Sequence, residues 1–92
     1  MHEVLVNAIE HKQRLRCVYD HKLRLIEPQC YGIGTHRSEL LRVHQLKGGT
    51  QREPLFTVSK IVDLEVLNET FTHPGPNYKK KDSAMKTIFA QL

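Results

Sequence analysis

The chain has 92 residues, enough for one small domain with a modest core. A hydrophobic fraction of 39% and a charged fraction of 26% exclude extensive disorder. Fourteen Lys and Arg against ten Asp and Glu leave a formal charge of +4, compatible with phosphate-bearing partners but short of a dedicated nucleic-acid binder.

No run approaches the ~20 apolar residues of a membrane helix. The start, Met1-His2-Glu3, has no apolar signal segment, and two cysteines are too few for a disulfide framework. These features predict a cytoplasmic protein in which Cys17 and Cys30 are free thiols.

Residues 3–13 are expected to be helical, with Val4, Leu5, Ala8 and Ile9 on one stripe that needs something to pack on. Leu15, Cys17 and Tyr19 then alternate with Arg14, Arg16 and Asp20, the period of a strand. Asp20-His21-Lys22 is a tight connection to a second strand carrying Leu23, Leu25 and Ile26, whose pairing is expected to end at Pro28. In this hairpin Tyr19 faces Leu23 and Cys17 faces Leu25. Tyr31-Gly32-Ile33-Gly34 reads as a bend or bulge.

Residues 39–46 form the clearest later strand. Leu41, Val43 and Gln45 share one face, and Leu40, Arg42, His44 and Leu46 the other, with Leu41 and Val43 marking the core side. Residues 47–51 are a loop, residues 55–58 a short strand, and residues 61–67 a last strand after an interruption at Ser59-Lys60. From His73 onward Pro74, Gly75 and Pro76 prevent regular structure. Asp82 or Ser83 is expected to cap a final helix, because Met85, Ile88, Phe89 and Leu92 follow the spacing i, i+3, i+4, i+7. The expected fold is mainly β (α+β): one domain over 1–92, with a helix and small barrel of about five strands in 3–72 and a loop and short C-terminal helix in 73–92.

This order of parts resembles the WYL domain, a module of bacterial transcription regulators built on an Sm-like small β-barrel. The resemblance lies in Ala8-Ile9, in residues 15–19 (Leu-Arg-Cys-Val-Tyr), in residues 25–32, in Glu39-Leu40-Leu41-Arg42, in residues 55–61 and at Phe71. The name-giving Trp-Tyr-Leu triplet reads Glu39-Leu40-Leu41, so only its Leu is kept. The resemblance implies sensing of nucleotides or nucleic acid through basic residues near that strand, and carries over Arg42.

Arg42 is the leading ligand-binding candidate, since a guanidinium offers bidentate donors to phosphate or a base edge from a well-fixed strand position. Its alternative is an exposed charge paired with Glu39 or Glu65. His44 shares the Arg42 face, and Gln45 on the apolar side either lines a pocket mouth or bonds the barrel backbone. Arg37 and Arg52 flank the strand in loops. Arg14, Arg16, Arg24 and Lys47 could form a phosphate-reading surface, or serve solubility alone. Tyr31 either stacks on a base or fills the barrel end. Tyr78 beside Lys79-Lys80-Lys81 is open in the same way.

Tight metal-ligand spacings are missing, as are the elbow, P-loop and zincin motifs, so neither a metal, a cofactor nor catalysis is expected. The favoured reading is a non-catalytic module that binds a nucleotide or single-stranded nucleic acid. The alternative is a protein-interaction or self-association module working through a helix bearing Met85, Ile88, Phe89 and Leu92.

Overall fold

A computed structural model describes residues 1–92. The first helix, α1, is His2–Glu10, with Leu5, Ala8 and Ile9 buried on one face. It stops short of Gln13 because Lys12 adopts a left-handed conformation, φ 51°. Gln13 then opens strand β1, Gln13–Tyr19, and pairs with Thr70.

β1 and β2 (Lys22–Ile33) form the expected hairpin. Its loop has only two residues, Asp20 at φ 53° and His21 at φ 64°, the pair of positive angles that matches a tight turn to strand twist. The register therefore differs by one from the expected one: Val18 faces Leu23 and Cys17 faces Arg24. This slip puts Arg24 on the inward side of the sheet and leaves Leu23 62% exposed.

β2 does not end its pairing at Pro28. It runs 12 residues, and Pro28 faces Val43 across β3, Glu39–Lys47. Pro28 lies where β1, last paired at Ile26, has left one edge of β2 and before the C-terminal strand arrives at Cys30. A residue without an N–H is tolerated in such a gap. A bulge between Pro28 and Cys30 inserts Gln29 as an extra residue.

β4, Leu55–Thr57, pairs with β3; a 3-10 turn, Val58–Lys60, leads into β5, Val62–Thr70, which pairs with β1. The strand order is β4-β3-β2-β1-β5. The expected barrel is not closed. β4 is three residues long, its pairs are all with β3, and the 3-10 turn carries the chain onward without joining β4 to β5.

The expected C-terminal helix is also corrected. Thr87–Gln91 is a strand, β6, paired antiparallel with Cys30–Ile33 of β2. Local sequence favours this, since Thr87, Ile88 and Phe89 are β-branched or aromatic. The edge of β2 that β1 leaves open supplies the partner. Gly32 permits the approach: a Cβ there would sit 2.1 Å from the Thr87 carbonyl oxygen. Of the four residues expected on a helical stripe, Met85 is buried, Ile88 and Leu92 are half-buried and Phe89 is exposed.

One core of 12 residues unites α1 with the sheet: Leu5, Ala8, Ile9, Leu15, Cys17, Ile26, Tyr31, Leu41, Val43, Phe56, Val58 and Ile61. Leu41 and Val43 are fully buried, which makes their face of β3 the core side as expected. Both cysteines are free, buried thiols.

Candidate anion-binding cleft

The opposite face of β2 and β3 is polar. Cross-strand register sets Glu27 beside His44 and Cys30 beside Arg42. Gln29 keeps the parity of Glu27 on this side, and the bulge turns Cys30 to it as well. The Gln29 amide donates to Glu53 Oε1 (2.9 Å) and accepts from the Gly75 backbone N–H (2.5 Å). Gln29 is fully buried, so both bonds are needed to offset loss of water.

Two irregular segments close over this face: the β3–β4 loop and the tail after Phe71. Glu53 of the loop accepts from Gln29 and from the Asn77 backbone N–H (2.8 Å). Gly75 of the tail is buried between Glu53 and His44, where a Cβ would lie 2.9 Å from Glu53 Cδ and 3.0 Å from His44 Cγ. Between loop and tail lies an open polar cleft of about 760 Å³, with Gln29 and Arg42 at its base and Arg52, Glu53, Lys79 and Asp82 around it.

Arg42 donates from Nε to Asp82 Oδ2 (2.7 Å) and from Nη2 to Asp82 Oδ1 (3.3 Å), while its Nη1 donates to the Glu53 carbonyl (3.1 Å). Burial alone would raise the Asp82 carboxyl. The hydrogen bond and charge of Arg42, with a bond from the Ala84 N–H, outweigh burial and hold it below its ordinary value. Burial pushes the Cys30 thiol up to about 11, so it stays protonated and unreactive beneath the cleft. Arg52 and Lys79 are exposed and make no salt bridge.

Of the residues singled out from sequence, the cleft brings together Arg42, Arg52, Tyr78 and Lys79, with the Tyr78 hydroxyl donating to the Leu92 carbonyl (2.5 Å). His44 shares the face of Arg42 and is held by Glu27: its Nδ1 lies 3.1 Å from Oε1, while Arg14 Nε donates to Oε2 at 2.7 Å. That bond chiefly raises the Arg14 pKa above its ordinary value. Arg16 pairs with Glu65 on an exposed face. Arg37 sits at φ 64° in the exposed β2–β3 turn, and Lys47 ends β3, exposed.

Arg24 and Gln45 face the core side. Arg24 Nη1 donates to Gln45 Oε1 (2.9 Å), and Nε and Nη2 donate to the Tyr19 carbonyl (3.2 and 2.9 Å). The guanidinium lies 5.8 Å from the centroids of the stacked Tyr19 and Phe56 rings. Tyr31 fills the core; its hydroxyl donates to Glu39 Oε1 (2.7 Å) and lies 3.0 Å from His2 Nδ1. Burial first, then the Glu39 hydrogen bond and charge, push its pKa up.

Sequence reasoning missed Gln29, Glu53 and Asp82. Pro28 carried the one local signal, since a proline inside a strand marks an edge or bulge.

The fold and cleft define a small, open antiparallel β domain, covered on one face by a helix and on the other by an irregular tail. No family model, no curated protein and no solved structure matches this chain. No helix is long and apolar enough to cross a membrane.

Proposed function

We propose that this domain is a non-catalytic binding module that takes a phosphate-bearing ligand, a nucleotide or a short stretch of single-stranded nucleic acid, in the cleft. The observation that carries the reading is the convergence of Arg42, Arg52 and Lys79 on one polar cleft, with Arg52 and Lys79 free of carboxylate partners. Three cations around a concave site favour a polyanion, and the volume of about 760 Å³ is that of small-ligand sites. Most lining residues are polar or charged, which favours recognition through charge, and Tyr78 is the one aromatic side chain at the site. Glu53 and Asp82, both engaged in holding loop and tail, fit structural roles better than acid–base ones. The resemblance of residues 3–72 to the WYL domain supports the same ligand class.

Fluorescence anisotropy with a labelled oligouridylate, with ATP as competitor, tests the proposal. Replacing Arg52 and Lys79 together by Ala is expected to weaken binding and flatten its dependence on salt, each phosphate contact contributing about 0.7 to the logarithmic salt slope of a single strand. Binding that is indifferent to this double substitution, or no binding of either probe, rejects it.

A further inference from the structure

We infer that the tail, residues 73–86, is a displaceable strap: Asp82 occupies the phosphate position on Arg42, and ligand binding releases the tail. This rests on the reading of the cleft as a phosphate site and concerns how that site is regulated.

Asp82 presents two oxygens to the Nε/Nη2 fork of Arg42, the same planar pairing that a phosphate would make. It does so from a segment with no helix or strand, so the contact can be broken without unfolding a regular element. The strap is held at few points. They are Gly75 N–H on Gln29, Asn77 N–H on Glu53, the Tyr78 hydroxyl on the Leu92 carbonyl, Asp82 on Arg42, Lys81 N–H on Gln91 and Lys86 N–H on the Ile33 carbonyl. All but the Asp82–Arg42 pair are single hydrogen bonds, each of modest net value. Met85, next to β6, is the one buried apolar side chain of residues 73–86 and anchors the strap at its end.

Charge favours the exchange. Around the cleft three cations, Arg42, Arg52 and Lys79, face two carboxylates, Glu53 and Asp82. An arriving phosphate replaces the Asp82 carboxylate on Arg42 and also meets the unpaired Arg52 of the β3–β4 loop, which stays in place; Lys79 is carried by the tail and leaves with it. Asp82 is thus a tethered competitor that lowers apparent affinity, and departure of the tail exposes the polar face of β2 and β3. A ligand that binds the released state better must, by linkage, release the tail.

Asp82→Asn tests the idea, because it keeps the side-chain size and an acceptor for the Ala84 N–H while removing the charge. Affinity for the labelled oligouridylate is expected to rise by about tenfold, within the usual range of site coupling. Unchanged or weaker binding by the variant, with the wild-type chain binding normally, overturns the strap and leaves the binding proposal standing. Binding by neither protein rejects both.

Hydrogen exchange on the unaltered chain gives a second, mutation-free reading. With saturating oligouridylate, the amides of Gly75, Asn77, Lys81 and Ala84 are expected to exchange about tenfold faster, while Val43 is unchanged. Increased protection of those four would mean that the tail closes over the ligand, and would overturn the inference. ATP and pyrophosphate in parallel separate a need for the base from a need for phosphate alone.

Discussion

The two faces of the β2–β3 pair are built from different materials. On one side Ile26, Tyr31, Leu41 and Val43 are fully buried and pack with α1 and Phe56 in a continuous apolar core. On the other, Gln29 and Arg42 are joined to loop and tail by hydrogen bonds and an ion pair, and Glu27 links His44 to Arg14 of β1. Apolar burial is non-directional and adds up over the whole contact, so the first face should unfold as one unit. Polar links depend on individual geometry and exchange readily with water, so the second face should open locally, well below the global unfolding free energy. A small domain that must both stay folded and admit a ligand can divide those demands between its two faces.

The largest effect that can break this contrast is on the apolar side. Leu41→Ala removes a fully buried side chain from β3 and is expected to cost about 2–5 kcal/mol in urea unfolding. The loss should appear equally in every probe, including the tail, because the tail has nothing to attach to once β3 is lost. A loss under ~1 kcal/mol would mean that the core is not the unit that holds the domain.

The next effect sharpens the contrast on the polar side. Gly75→Ala places a Cβ 2.9 Å from Glu53 Cδ and 3.0 Å from His44 Cγ, closer than either can accept without moving. Exchange of the Asn77 and Ala84 amides is expected to accelerate strongly, while the urea midpoint shifts by no more than about 1 kcal/mol. If the midpoint instead fell as far as for Leu41→Ala, the tail would belong to the global cooperative unit.

How much of this was legible in the sequence follows the same division. Alternation alone located β1 and the core side of β3, because Leu15, Cys17, Leu41 and Val43 obey a period of two. The hairpin was legible but not its register, since Asp20 and His21 both accept positive φ and shorten the loop to two residues. β6 was hidden because Met85, Ile88, Phe89 and Leu92 satisfy a helical spacing. What decides for a strand is the open edge of β2 at Cys30–Ile33, more than fifty residues away in sequence. Barrel closure failed on a similarly non-local point, the brevity of β4.

At the cleft, Arg42 could be found because strands fix side-chain direction, and Arg52 because it flanks that strand. Asp82 could not, for its partner is 40 residues away and its own neighbours suggested a helix cap. Gln29 was hidden because the bulge brings Cys30 to the same face and breaks the alternation around it. Polar networks assembled from loops leave little periodic trace; apolar faces leave a clear one.

The smallest expected effect is the titration of the Arg42–Asp82 link. Asp82 has an ordinary carboxyl pKa of 3.8 and is held below it in the fold. A depressed folded value means that the unfolded or detached tail binds the proton more readily than the attached one. Attachment therefore gains from the charge fully above the ordinary value and loses that gain as pH falls through the lower, folded value. Between pH ~5 and ~8 the link should contribute no pH dependence. The Ala84 amide, bonded to Asp82 Oδ1 at 3.0 Å, reports on this carboxyl directly, and its nuclear resonance position should titrate with a midpoint below 3.8. Asp82→Asn should abolish that step while leaving the Val43 resonance undisturbed, since Val43 lies on the core face. A midpoint at or above 3.8 would show that burial outweighs Arg42, and the polar face would then be held by Gln29 and Glu53 alone.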